Sequence, residues 1–166
     1  MNEAILRKLI PVWVDHNNKF HVIKDYFVHE DTGTIWSSKK GQLRQLKPCT
    51  NRGKQKGKHS YPFITLIDPI FEDLYEMQKT VMLHRVLKIS YVLHYNLFIE
   101  EFAKIFTNVA KEDLLAIPRS IQEQILRGLE VNHIDHNKLN HNYNNLEFTT
   151  AQENSKSYKN YKKNTL

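Results

Sequence analysis

The stretch "VNHIDHNKLNHNYNNLEFTTAQEN", residues 131 to 154, holds three histidines and seven asparagines in twenty-four positions. Imidazole and carboxamide at that density are too polar for a core and too patterned for an arbitrary loop. The local order reads as strand, loop, strand, helix. "LEVNHID" has strand character and runs into a polar turn, and "NNLEFTT" reads as its antiparallel partner. Thr150 and Glu153, three apart, form a capping box that opens a helix over "AQENSKSYKNYKK". His133 then falls at a strand end, Asn145 at the far end of the loop, and Asn154 in the first helical turn. Such a hairpin can gather residues that lie far apart in sequence.

Working outward, residues 20 to 70 read as short strands joined by turns. "KFHVIKDYFVHEDTGTIWSS" alternates apolar positions, turns at Asp31-Thr32-Gly33, and resumes with the β-branched and aromatic "TIW". "SYPFITLID" is a further strand, with Phe63, Ile64, Leu66 and Ile67 as its apolar part. Between them "KKGQLRQLKPCTNRGKQKGKH" is dense in Lys and Arg, contains no acid, and is broken by Gly53 and Gly57. From residue 80 the pattern changes. "TVMLHRVLKISYVLHYNLFIEEFAKIFTNVA" places Leu83, Val86, Leu87, Tyr91, Leu97, Phe98, Phe102, Ile105 and Phe106 near a helical period. "RSIQEQILRGLE" predicts another helix, with Pro118 before it, a capping box of Ser120 and Glu123, and Gly128 as its stop.

Composition bounds the rest. With 166 residues, 40% of them hydrophobic, the chain is expected to form one domain, or one domain with an insertion. A net charge of +6 fits a polyanionic partner. Cys49 is the sole cysteine, so no intrachain disulfide is available and a reducing, cytoplasmic location is expected. No apolar run approaches the roughly 20 residues that cross a bilayer, so no membrane partner is expected.

Three chemistries compete for the polar cluster. An Asn-rich connecting loop would satisfy its own backbone with its side chains. A zinc site could use His133, His136 and His141, although no cysteine is at hand and the segment is a poor helix. A one-metal nuclease site needs a base for water, a cation on the scissile phosphate, and a residue that orients the base. A neutral imidazole suits the first role, and oxygen ligands suit Mg²⁺.

The same residues carry a family resemblance. "VNHIDHNKLNHNYNNLEFTTAQEN" resembles the core of the HNH nucleases, the ββα-metal or His-Me finger group, and most of all the phage and intron-encoded homing endonucleases. Upstream, "MLHRVLKIS" resembles the His-Arg segment that precedes this core, and "IKDYFVHEDTGTIWSSKKGQLRQLKP" resembles the family's small amino-terminal sheet. The resemblance implies an α+β fold with three parts. These are an amino-terminal β-rich DNA-contact module (1–79), a helical segment with an insertion (80–129), and a ββα-metal core with a basic tail (130–166). The stretch from about Tyr95 to Gly128 is longer than the short loop relatives use there.

Carried over residue by residue, the resemblance makes His133 the general base. Asn145 orients it through the side-chain carbonyl, and Asn132 and Asn154 are the ligands of a single Mg²⁺ or Mn²⁺. Two neutral ligands bring no negative charge, so the ion is expected to bind weakly until a DNA phosphate completes its shell. Asp135 and Asn137 are expected to shape the turn. His84 is expected to be structural, and Leu146 and Phe148 to be core. His136 stands where relatives have Gly, at a turn position that can require positive φ, a conformation His tolerates better than most residues. Double-stranded DNA is the implied partner of a monomer. Arg44, Lys47, Arg52, Lys54, Lys56 and Lys58 line its path on the sheet side, and Lys156, Lys159, Lys162 and Lys163 on the tail. Relatives continue into a helix-turn-helix module beyond this point, so a shorter recognised site is expected here. A repressor-like DNA-binding protein without turnover is the alternative on the same fold.

Overall fold

The computed structural model describes residues 6–50, 61–71 and 78–164. The chain is mixed α and β, as expected. Strand β1 (Leu9–His16) pairs antiparallel with β2 (Lys19–His29) across a two-residue turn, in which Asn17 and Asn18 both have positive φ. That turn matches the twist of the flanking strands, and Asn tolerates it. The register shifts between Pro11 and Val12, where a missing N–H does least harm, and Asp25 takes up the slack at φ 62°. β3 (Ile35–Ser37) and β4 (Arg44–Gln45) complete a sheet of order β1-β2-β3-β4.

β1 is a strand the sequence reading did not foresee. Ile10, Val12 and Val14 point inward from it, and Trp13 N–H donates to Ser90 Oγ at 2.9 Å. A second correction concerns the start of the helical region. Thr80–Met82 belongs to strand β6 (Gln78–Met82), which pairs with β5 (Phe63–Ile67). Val81 faces Ile64 across the pair, and the hydroxyls of Thr80 and Thr65 meet at 3.2 Å. These β-branched cross-strand pairs outweigh the helical spacing that continues beyond them.

Helix α1 (Leu83–Tyr95) is buried on most sides and touches β1 and β6 on one flank and the carboxy-terminal strands on the other. It ends at Asn96 in the left-handed conformation. The insertion forms α2 (Phe98–Ile105), α3 (Lys111–Leu115) and α4 (Arg119–Gly128), which bury Phe98, Phe102, Leu114 and Leu126 against the common core. The capping box predicted at Ser120 and Glu123 does not form. Pro118 is the N-cap, its carbonyl accepts from Ile121 and Gln122, and Glu123 pairs with Arg119 at 3.1 Å.

The insertion is tied to the rest by a buried ion pair. Lys88 on α1 and Glu101 on α2 are each 2% exposed and meet at 3.0 Å. Glu101 also accepts from Lys104 at 2.7 Å and from the Tyr143 hydroxyl at 2.9 Å. Burial lowers the Lys88 ammonium from its usual range, against the pull of Glu101. Burial pushes the Glu101 carboxyl up, but the hydrogen bond from Lys104 and the charge of Lys88 outweigh it and hold that group low.

Among the described residues no helix is long and apolar enough to cross a membrane.

Candidate active site

The stretch that opened the sequence reading folds as strand β7 (Glu130–His133), a loop ending in a short 3-10 turn (Tyr143–Asn145), strand β8 (Leu146–Thr149) and helix α5 (Ala151–Asn164). β7 and β8 are antiparallel, with Asn132 opposite Glu147 and His133 opposite Leu146. The Thr150–Glu153 capping box is present. Glu153 N–H donates to Thr150 Oγ1 at 3.2 Å, and the Thr150 hydroxyl donates back to the Glu153 carboxylate at 3.0 Å. Arg85 fixes the entry to β7 with a two-pronged bond, to the carbonyls of Leu129 at 2.6 Å and Arg127 at 2.9 Å.

The loop answers the question of the asparagines. The side-chain oxygens of Asp135, Asn137, Asn140 and Asn142 each accept the N–H two residues on, so the chain turns through successive Asx turns. Asn140, Asn145 and the N–H of Asn137 all donate to Asp135 and hold its carboxyl below the usual range. His136 adopts φ 58°, the conformation foreseen for that position, and stacks on Tyr161 of α5 with ring centroids 4.3 Å apart.

Asn145 does not do what the resemblance implied. Its side-chain oxygen accepts from Asp135 N–H at 3.1 Å, and its amide donates to Asp135 Oδ1 and the Asn140 carbonyl. It clamps the two ends of the loop, and Ile134 N–H adds a bond to the Asn145 carbonyl at 2.9 Å. Its link to His133 is therefore indirect, through the loop on which the imidazole sits.

His133 lies 2% exposed in a nest of rings. His84 is 5.1 Å away, Tyr61 is stacked at 5.9 Å, and His141 meets it edge-on at 5.8 Å. Nε2 of His133 is buried without a hydrogen-bond partner. Burial, helped by the neighbouring His141, pushes this imidazole down to about 4. Burial with His133 and His141 alongside takes His84 to about 3. Both rings are neutral at neutral pH.

A single cleft of about 400 Å³ takes in Asn132, His133 and Asn154, with Glu130, His136 and Lys138 around them. Asn145 is not among its lining residues. Asn132 Nδ2 donates to Glu147 Oε1 at 3.0 Å, and Asn154 Nδ2 donates to Glu130 Oε2. A carboxylate only accepts, so each amide must turn its NH₂ toward its glutamate and its carbonyl oxygen away. The two oxygens carry no hydrogen bond among the described residues and suit a hard divalent cation that keeps several waters. The donor set fits Mg²⁺ or Mn²⁺.

The two glutamates were missed in the sequence. Their signal was strand alternation, which places Glu130 on the face of Asn132, and the pairing of β7 with β8, which sets Glu147 opposite. Of the proposed DNA contacts, Arg44 and Lys47 are exposed at and just beyond β4. Lys156, Lys159, Lys162 and Lys163 are exposed on α5, the helix that carries Asn154. Arg52, Lys54, Lys56 and Lys58 lie outside the described residues.

The strand–loop–strand–helix unit, in ββα order, brings an imidazole and two carboxamides to one cleft. Residues 125–156 match the family model of an HNH endonuclease. A solved structure described as "DNA binding and cleavage by the HNH homing endonuclease I-HmuI" is similar at 22% identity and a TM-score of 0.47, covering 93% of this chain. The present chain spans 60% of that protein's length. No curated protein sequence matches it.

Proposed function

We propose that this chain is a metal-dependent DNA endonuclease of the HNH homing type that hydrolyses one phosphodiester bond per visit. The observation that carries the reading is the single cleft shared by His133, Asn132 and Asn154, with both carboxamide oxygens left free by their glutamate partners. His133, neutral above its lowered pKa, takes the proton from a water that attacks phosphorus. Asn145 acts at one remove, by closing the loop that holds the imidazole. Asn132 and Asn154 hold the ion. Bound there, Mg²⁺ or Mn²⁺ supplies Lewis-acid stabilisation of the charge that builds on the phosphate and the leaving oxygen.

Double-stranded DNA is the proposed substrate, held by a monomer. The amino-terminal sheet offers Arg44 and Lys47, and the exposed lysines of α5 lie on the phosphate backbone next to the cleft. In this scheme residues 1–79 grip DNA, 130–166 cut it, and 80–129 join the two.

One observation favours the second reading, a repressor-like protein on the same fold. The His133 ring is 2% exposed behind Tyr61, which is poor access for water. Supercoiled plasmid or DNA from the gene's own locus separates the two. With Mg²⁺ it is expected to be nicked, and EDTA or His133→Ala is expected to lower the rate by at least about 100-fold, the scale of general-base catalysis. DNA binding without cleavage under any divalent metal would establish the repressor instead.

A further inference from the structure

The cation site as drawn has an electrostatic gap, because Asn132 and Asn154 are both neutral. Polar oxygens alone hold Mg²⁺ poorly, and such sites ordinarily include one or two carboxylates. The cleft contains one. Glu130 begins β7, and strand alternation puts its side chain on the same face as Asn132, two residues along. It lines the cleft with Asn132, His133 and Asn154, and its Oε2 accepts from the Asn154 amide. The residue is exposed and no salt bridge to it is seen among the described residues; its charge also acts on the Arg85 guanidinium, together with Asp15.

We propose that Glu130 is the positioning carboxylate of the cation site, orienting Asn154 and supplying the negative charge that the two asparagine ligands lack. The proposal rests on the nuclease reading above. One carboxylate oxygen fixes the Asn154 NH₂, which aims the Asn154 carbonyl into the cleft. The carboxylate at the same time lowers the potential felt by any cation there and can accept from its bound water. Glu147 orients Asn132 by the same logic but lies outside the cleft lining, so the charge contribution falls to Glu130. The result is an outer-sphere anion behind an uncharged inner shell, an arrangement that leaves the DNA phosphate room to complete the ligand set.

The test is Mn²⁺ affinity, read from the free-ion electron paramagnetic resonance signal, with and without an uncut DNA duplex. It compares the unaltered chain with Glu130→Gln. Gln keeps the size but loses the charge and the acceptor-only character that fixes the amide. Affinity is expected to fall about 10- to 100-fold, as for other outer partners of metal ligands. Unchanged affinity, within about twofold, would overturn this proposal alone. No Mn²⁺ binding by the unaltered chain, with or without DNA, would overturn the nuclease site and this proposal with it. Should Glu130→Gln fail to fold, Glu130→Ala decides by the same measurement: Mn²⁺ affinity within about twofold of the unaltered chain sinks the assignment, and a loss of about 10-fold or more supports it.

Discussion

A Cβ added at Gly33 would stand 2.4 Å from the His141 carbonyl oxygen and 3.1 Å from a Leu87 methyl, and φ at Gly33 is +62°. Both the space and the backbone therefore exclude a side chain. Gly33→Ala is expected to cost about 1–3 kcal/mol, measured by urea unfolding, because the obstructing atom is backbone and cannot swing aside. A loss below about 0.5 kcal/mol would show that the loop yields easily. The turn at Gly33 was legible in the sequence; its contact with a loop more than a hundred residues away was not. The same division holds at the site. The positive φ of His136 was implied by the resemblance, in which Gly stands at that position, and the Thr150–Glu153 box by spacing alone. What Asn145 holds depends on where the loop closes, and so it was misread as a direct partner of His133.

At the scale of elements, Lys88 and Glu101 decide how the helical insertion relates to the rest. Each leaves water only because the other is present. Removing one partner strands a buried charge. Glu101→Leu alone is expected to lose about 3–5 kcal/mol, whereas Lys88→Met with Glu101→Leu is expected to regain most of it. Equilibrium unfolding of the two variants checks this, and equal losses would mean that the Tyr143 and Lys104 bonds, not the ion pair, set the cost. Helices α2 and α4 were readable from their apolar spacing and flanking signals; the burial of Glu101 in α2 was not, because it depends on Lys88 and Tyr143 from other elements. Strands β1 and β6 were hidden for a related reason. A short strand is stabilised by the neighbour it pairs with, and neither neighbour is visible from its own few residues. Ser120 and Glu123 show the converse. They carry the same spacing as Thr150 and Glu153, but Pro118 starts the helix two residues early and Arg119 takes the acid.

At the scale of the whole molecule, the buried imidazoles make stability depend on pH. His84 and His133 have folded pKa values of about 3 and about 4, below the unfolded value near 6.5. The unfolded chain therefore binds more protons in that window, so stability is complete above about pH 6.5 and drains away as pH falls toward about 4. Each ring contributes a slope of up to about 1.4 kcal/mol per pH unit. Glu101, also held low, extends the loss in the same direction at more acid pH. The thermal midpoint is expected to drop between about pH 6.5 and about pH 4.5, and His84→Leu to flatten that drop. A midpoint insensitive to pH over that span would mean the ring nest admits protons freely.

The packing of Gly33 against His141 has one more outcome. The turn of the basic sheet and the asparagine-rich loop touch main chain to main chain at Gly33 and the His141 carbonyl. On the nuclease reading proposed above, a duplex seated on the sheet would carry the cleft along as a stiff caliper, and breaks are then expected at one constant number of base pairs from the edge of the protected footprint, whatever the sequence in between.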